Sequence, residues 1–257
     1  GIAEEAEEEA EAVEDYPVHL FLSREGYFKK ITPQSLRMSG EQKYKEGDDL
    51  LITYETTNNS EILVFTDKQK CYKTRLSAFA DGKASTLGDF LPTALDMDDG
   101  ENAIYVMDAG DYSGSVMFFY DNGKVAKVEL AGYATKTNRK KLTGAYSDKA
   151  ELVAILPMRT DAEVAMYSED GRVLVFNTAI IQPKSSKTTI GVSAMSLKKN
   201  RHVKDVRLLA ETQIKNVSRY RVRPLPGAGA SGSRANPFSS NQVAVFTPAP
   251  SHFGPSV

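Results

Sequence analysis

The chain has 257 residues, of which 41% are hydrophobic and 26% are charged, and its formal net charge is −2. This composition predicts a globular protein with a sizeable core, and no apolar run approaches the ~20 residues that a membrane helix needs. The single cysteine, Cys71, excludes an internal disulfide scaffold and predicts a reducing compartment. The N-terminus is acidic, which is unlike a secretory signal.

The charges are distributed unevenly along the chain. Residues 1–15 hold eight acids and no base, and residues 16–171 hold 24 acids and 19 bases. Residues 172–257 hold two acids and 13 bases, a net charge of +11. A segment whose charges are almost all positive predicts a polyanionic partner, although a solvated basic surface would have the same number of basic residues.

Residues 1–15 are predicted to be an acidic linker or tail, because their Ala and Glu residues offer no apolar face. Four hairpins follow at intervals of about 48 residues, a spacing typical of propeller blades. Each has an apolar strand, a short polar turn and a second strand that is usually basic. The hairpins are LFLSREGYFKK (20–30), LVFTDKQKCYKTR (63–75), FFYDNGKVAKV (118–128) and AMYSEDGRVLVF (165–176).

The turn residues predict how these hairpins close. The turns are Glu25-Gly26, Asn122-Gly123 and Asp170-Gly171, and Asn-Gly and Asp-Gly predict two-residue turns with positive φ at both central positions. The second hairpin has Lys68-Gln69 instead, which is a weaker turn signal. Further β-type runs separate the hairpins, at 49–55, 102–109, 151–158 and 205–211.

The repeat predicts an all-β, propeller-like fold with four blades over residues 16–223. A partial fifth blade could form near residues 212–235, and a β-sandwich of unrelated hairpins is the alternative architecture. Residues 224–257 are rich in Pro, Gly, Ser and Ala and predict a low-complexity tail. Within this tail only Val243–Phe246 could form a strand.

No catalytic constellation is present in the sequence. The three histidines lie far apart, and none has a His or Cys at metal-ligand spacing. The acidic stretch 96–101 lacks the ligand spacing of a calcium loop, and Gly227–Gly232 matches a dinucleotide fingerprint only within low-complexity sequence. We therefore expect no metal, no cofactor and no enzymatic activity in this chain alone.

Lysine and arginine recur in the second strand of the first three hairpins and in the loops that follow. Blades would place these side chains at regular intervals on a rim, where they would contact successive DNA phosphates without reading bases. Protection of sheet edges would explain only some of them. The candidate DNA-binding residues are Lys29, Lys30, Arg37, Lys43, Lys45, Lys70, Lys73, Arg75, Lys124, Lys127, Lys136, Arg139, Lys140, Lys141, Lys184, Lys187, Lys198, Lys199 and Arg201.

The hairpin SREGYFKKI (23–31), the following TPQSLR and the hairpin EILVFTDKQKCYKTRL (61–76) resemble the C-terminal domain of bacterial type IIA topoisomerase A subunits. That family comprises the A subunits of gyrase and of topoisomerase IV, and the resemblance covers about residues 14–223. It implies a β-pinwheel, in which propeller-like blades exchange strands and double-stranded DNA bends around a basic rim. The implied partners are DNA, the other domains of the A subunit, and the ATPase B subunit.

One departure from the family pattern bears on the parent enzyme. Gyrase carries a Gln-Arg-Arg-Gly-Gly-Lys-Gly box after the first hairpin, whereas residues 34–43 here read QSLRMSGEQK. The altered box favours a topoisomerase IV-like accessory domain over a gyrase-like one. Such a domain would be cytoplasmic and associated with the nucleoid. The alternative function is a propeller-type scaffold that binds other proteins.

Overall fold

The computed structural model describes residues 13–136 and 139–232. Its regular structure is mainly β. The strands are β1 (Pro17–Ser23), β2 (Tyr27–Ile31), β3 (Leu50–Thr57), β4 (Glu61–Thr66), β5 (Cys71–Arg75), β6 (Asp89–Phe90), β7 (Ala103–Asp108), β8 (Ser115–Tyr120), β9 (Lys124–Glu129), β10 (Lys141–Leu142), β11 (Leu152–Met158), β12 (Glu163–Ser168), β13 (Arg172–Asn177), β14 (Val192–Ser193), β15 (Val203–Leu208) and β16 (Ala230–Ser231).

Within residues 13–136 and 139–232, helical structure is confined to short segments between the strands. The α-helices are α1 (Pro33–Met38) and α2 (Leu91–Ala94). The 3-10 helices are Leu76–Ala78, Leu130–Tyr133, Thr178–Ile180, Leu209–Glu211 and Val217–Arg219. In the described part of the chain, no helix is long and apolar enough to cross a membrane.

The strands form four antiparallel sheets of four strands each, in the orders β3-β1-β2-β6, β10-β5-β4-β7, β11-β8-β9-β14 and β15-β12-β13-β16. We call them sheets 1 to 4. Each predicted hairpin lies at the centre of its sheet. The first long strand after the hairpin pairs with one edge of it. In sheets 1 to 3, a two-residue strand that follows the next hairpin in the chain pairs with the other edge. The predicted all-β fold with four blades is therefore confirmed, and its blades exchange strands.

The prediction of two-residue hairpin turns is wrong. Three of the four hairpins close through three residues, and the backbone N–H of the third bonds to the last strand residue. The second hairpin has four residues, 67–70, between its strands. Only the third loop residue has positive φ, which is +101° at Gly26, +86° at Gly123 and +81° at Gly171. Gln69 adopts the same conformation with φ of 54° in the second hairpin. A type I turn followed by one left-handed residue is the usual three-residue loop.

The sheets are distributed over two compact units. The first unit contains residues 13–111 and 139–141, and the second contains residues 112–136 and 142–232. In the second unit one apolar cluster joins sheets 3 and 4, with Met117 and Phe119 packed among Met166, Leu174 and Phe176. These strands are buried on both faces, so their sequences are nearly continuous apolar runs and do not alternate between apolar and polar residues.

The segment near the predicted fifth blade completes sheet 4 instead. Arg221 forms a parallel bridge with Val175, and β16 pairs with β13 through Ala230 and Val173. The start of the predicted C-terminal tail is thus hydrogen-bonded into a blade, although the domain boundaries themselves stay a prediction. The possible strand Val243–Phe246 lies outside the described residues.

Candidate nucleic-acid interface

The long loops that link the second and third strands of each sheet are bonded to the hairpin tips. The first residue of every hairpin loop donates its backbone N–H to the carbonyl that precedes or begins the third strand, over 2.9 to 3.0 Å. The four pairs are Arg24 to Asp49, Asp67 to Asn102, Asp121 to Glu151 and Glu169 to His202. This repeated bond fixes where the charged side chains of each loop can project.

Three of the predicted DNA-binding lysines lie inside the fold. Lys29, Lys30 and Lys127 are 3 to 5% exposed. The Lys127 ammonium donates to an Asp161 carboxylate oxygen at 2.8 Å, and to the carbonyls of Thr178 and Ile181 at 2.9 and 3.0 Å. A buried ammonium with three short bonds is satisfied and cannot reach a phosphate without breaking them.

Lys29 and Lys30 are bound in a comparable way. The Lys29 ammonium donates to the carbonyls of Ala84 and Thr86 at 3.1 and 3.0 Å, and burial lowers its pKa. The Lys30 ammonium donates to Asn58 Oδ1 and to the Leu76 carbonyl. The ammonium groups of these two lysines and of Lys127 are therefore occupied by partners inside the fold.

Lys30 and Lys127 occupy the same position in their repeats, four residues after the glycine of the hairpin turn. Each donates to the first residue of the 3-10 helix that follows the next hairpin, which is Leu76 or Thr178. These lysines thus connect consecutive repeats within the first and the second unit, and their role is structural.

Four other candidates are held by partners near the surface. The Lys73 ammonium lies 3.6 Å from Glu61, and the Lys187 ammonium donates to the Gly132 carbonyl at 3.1 Å. Lys70 and Lys141 both pair with Asp98. The remaining candidates are exposed or half-buried: Arg37, Lys43, Lys45, Arg75, Lys124, Lys136, Arg139, Lys140, Lys184, Lys198, Lys199 and Arg201.

The two units differ in the sign of their charge. The described part of the first unit carries 18 acids and 14 bases, a net charge of −4. The described part of the second unit carries 10 acids and 17 bases, a net charge of +7. An electropositive surface for a polyanion is therefore available mainly on the second unit.

The most basic loop of the second unit runs from residue 178 to residue 202 and contains five bases and no acid. Its end is a tight turn in which the Arg201 N–H donates to the Lys198 carbonyl at 3.0 Å, so Lys198, Lys199 and Arg201 lie close together. The turn is fixed to the fourth hairpin, because the His202 N–H donates to the Glu169 carboxylate at 3.1 Å. All three basic residues are exposed.

Acidic residues limit this cluster on one side. The Ser168 hydroxyl donates to the Asp170 carboxylate and holds its pKa below the usual range, and the charges of Lys198 and Arg201 act in the same direction. The hairpin tip therefore presents a negative charge beside the turn. An anion close to this tip would be repelled by the Asp170 carboxylate.

Reasoning from the repeat missed some exposed bases of the second unit. Lys149, Lys215 and Arg223 are exposed but lie outside the hairpins and their aligned loops. Only the charge count over residues 172–257 could have indicated the latter two. Among the described residues, no group of His, Cys, Asp and Glu side chains is arranged to hold a metal ion.

No protein-family model matches the chain. It is 24% identical over 191 residues to the A subunit of DNA topoisomerase 4 from Staphylococcus epidermidis, which covers 72% of this chain and 24% of that protein. The corresponding protein of Staphylococcus aureus is 23% identical over 186 residues, covering 70% and 23%. The chain thus spans about a quarter of the length of these curated relatives.

Two solved structures have a similar fold. The crystal structure of the C-terminal domain of DNA topoisomerase IV has a TM-score of 0.65 and 23% identity, and the match covers 77% of this chain and 62% of that one. The DNA gyrase A C-terminal domain has a TM-score of 0.58 and 15% identity, covering 84% and 76%. These comparisons confirm the resemblance to C-terminal domains of topoisomerase A subunits, and they do not extend to a catalytic region.

Proposed function

We propose that this chain binds double-stranded DNA without reading its sequence and bends it, as an accessory domain of an ATP-dependent type II topoisomerase. The observation that carries the proposal is the charge of +7 on the second unit, together with its acid-free loop 178–202. Lysine and arginine side chains that neutralise phosphates release condensed counterions, which provides sequence-independent affinity.

The loop arrangement supports contact with a backbone and not with a small ligand. Lys184 lies in the first part of loop 178–202, where its backbone is fixed because the Lys184 N–H donates to the Lys127 carbonyl at 2.8 Å. Lys198, Lys199 and Arg201 lie in the final turn. Bases that are separated along one loop and anchored at both ends suit successive phosphates of a bent duplex.

The proposal includes partners outside the chain. The remaining domains of the A subunit, together with the ATPase B subunit, would supply the catalytic tyrosine, the metal centre and the ATPase, as the resemblance implies. The altered box at residues 34–43 favours a topoisomerase IV-like parent. The proposed location is the cytoplasm, in association with the nucleoid.

The test is a titration of the chain with linear duplex DNA over a salt series. If about six to ten phosphates are contacted, affinity falls by roughly 10³–10⁵-fold between about 50 and 200 mM salt. Two duplexes of unrelated sequence should give the same curve. A flat salt response, or no binding at the lowest salt, would overturn the proposal.

A second candidate function, binding to another protein, is favoured by a separate observation. Ile180, Ile190 and Val192 on the second unit are 41 to 49% exposed. Ile190 and Val192 are two residues apart in the sequence, and neighbouring exposed apolar side chains are one mark of a protein contact. A partner bound in this way would resist salt, and serine in place of Ile190 would weaken it without changing DNA affinity.

A further inference from the structure

Two lysines of the first unit share one carboxylate. The Lys70 ammonium hydrogen-bonds to Asp98 Oδ2, and the Lys141 ammonium lies 3.5 Å from Asp98 Oδ1. Lys141 also lies over the ring of Tyr72, with its ammonium 5.7 Å from the ring centroid. One carboxylate therefore occupies the position between two ammonium groups that a phosphate oxygen pair would otherwise take.

Asp98 is held in place by a buried carboxylate. The Glu101 side chain is fully buried and accepts bonds from the Thr66 hydroxyl at 2.5 Å and the Tyr72 hydroxyl at 2.8 Å. It also accepts from the Asp98 N–H at 3.0 Å. These bonds fix the loop backbone at Asp98. Less conformational entropy is therefore lost when the Asp98 side chain pairs with the two lysines.

The basic segment that carries Lys141 is specific to sheet 2. In sheets 1 and 3 the exchanged strand is preceded by a glycine with positive φ, at Gly88 and Gly191, and in sheet 4 Gly229 precedes the edge strand β16 in the same way. A Cβ at these glycines would lie 2.2 to 2.7 Å from a hairpin carbonyl oxygen. In sheet 2 the preceding residue is Lys140, whose carbonyl accepts the Lys73 N–H at 2.7 Å, so this exchanged strand brings a run of three bases to the blade.

We propose that Lys70 and Lys141 form a seat for a phosphodiester group and that Asp98 closes this seat in the free protein. The inference rests on the proposed DNA binding and adds a contact that lies on the net-negative unit. Asp98 acts as an internal competitor, because its carboxylate pairs with both lysines. Lys70 also lies 4.0 Å from the buried Glu101 carboxylate, and Lys141 follows the exposed Arg139 and Lys140 in the sequence.

The test compares Asp98→Asn with Asp99→Asn, which removes the same charge from the adjacent exposed residue. Affinity for a linear duplex is measured across a salt series for both variants and for the unaltered chain. One new phosphate contact raises affinity at low salt and steepens the log–log salt slope by about one unit, which is a roughly three- to fourfold larger loss of affinity between about 50 and 200 mM salt. We expect this gain for Asp98→Asn and little change for Asp99→Asn.

A second substitution tests whether the released lysines carry the gain. Lys141→Gln should abolish it in the Asp98→Asn background, because only one of the two lysines of the seat then remains. Equal gains for Asp98→Asn and Asp99→Asn, or a gain that survives Lys141→Gln, would overturn the seat.

The outcomes separate this inference from the proposed function. If the unaltered chain fails to bind DNA while Asp98→Asn binds and Asp99→Asn does not, the seat stands and the proposed function fails. If the unaltered chain binds with a steep salt response and Asp98→Asn is identical to it, the proposed function stands and the seat is overturned. If neither Asp98→Asn nor the unaltered chain binds at the lowest salt, both are overturned.

Discussion

Replacing Lys127 with methionine tests the structural role assigned to this buried lysine. Methionine keeps the length and most of the apolar stem but removes three donated bonds, at 2.8 Å to Asp161, 2.9 Å to Thr178 and 3.0 Å to Ile181. Asp161 is 42% exposed and can be hydrated. The buried carbonyls of Thr178 and Ile181, in contrast, lose the Lys127 ammonium as a donor. The Thr178 carbonyl still accepts from the Ile181 N–H at 3.2 Å, so the Ile181 carbonyl is the acceptor left without a partner among the described residues. A buried acceptor without a partner costs about 1–3 kcal/mol, and we expect a loss of that size.

The measurement is urea unfolding followed by far-ultraviolet circular dichroism. Lys124→Met is the matched control, because Lys124 begins the same strand, is half-buried and has no ammonium bond among those described here. The control should stay within about 0.5 kcal/mol of the unaltered chain, as surface substitutions usually do. A Lys127→Met variant as stable as the control would refute the structural role and return Lys127 to the candidate DNA-binding residues.

Three further predictions follow from the fold and the charge distribution. The hydrogen bond from Lys127 holds the pKa of Asp161 below its usual value. The stability that this bond provides is therefore present above about pH 4 and is lost as the pH falls through the lowered pKa. The difference in unfolding free energy between the unaltered chain and Lys127→Met should shrink when urea unfolding is repeated at decreasing pH. Gly191→Ala should lower the unfolding midpoint more than Gly171→Ala, since both have φ near +80° but only a Cβ at Gly191 would meet the Val125 carbonyl, at 2.2 Å. Deleting residues 1–12, which hold six acids, should tighten DNA binding at low salt, with a gain that shrinks as salt rises; equal affinity at the lowest salt would make the segment a plain linker.

The central hairpins could be predicted because their signal is local. Apolar runs on both sides of a short polar turn recur four times, three of the turns contain Gly, and tertiary packing does not alter that pattern. The turn type was wrong because Asn-Gly and Asp-Gly suit two different loops: in one the Gly is a central turn residue, and in the other it follows a type I turn. Gln69 has positive φ without being glycine, so the position in the loop, and not the residue type, determines this backbone conformation.

The exchanged strands could not be found by periodicity. β6 and β14 have two residues each, which is too short for an alternation of apolar and polar side chains. The glycines before them, Gly88 and Gly191, are a usable signal, because a residue that must approach a carbonyl to within contact distance cannot carry a Cβ.

The basic residues show the same division between local and tertiary information. Charge counting located the electropositive part of the chain, but it could not separate Lys127 from Lys198. Lys127 stands between Ala126 and Val128, which are both buried, and this apolar surrounding was the available sign that the lysine lies inside. Its partner Asp161 lies 34 residues away, so the ion pair depends on the packing of two repeats.

The most direct test of the central claim compares two charge-reversal variants in DNA binding. One changes Lys198, Lys199 and Arg201 to glutamate on the second unit, and the other changes Arg37, Lys43 and Lys45, which are exposed on the first. If the basic loops of the second unit hold the DNA, the first variant binds more weakly and its log–log salt slope flattens by about one unit for each lost contact. The second variant should keep the slope of the unaltered chain. Equal slopes for the first variant and the unaltered chain, or an equal flattening in both variants, would contradict the account.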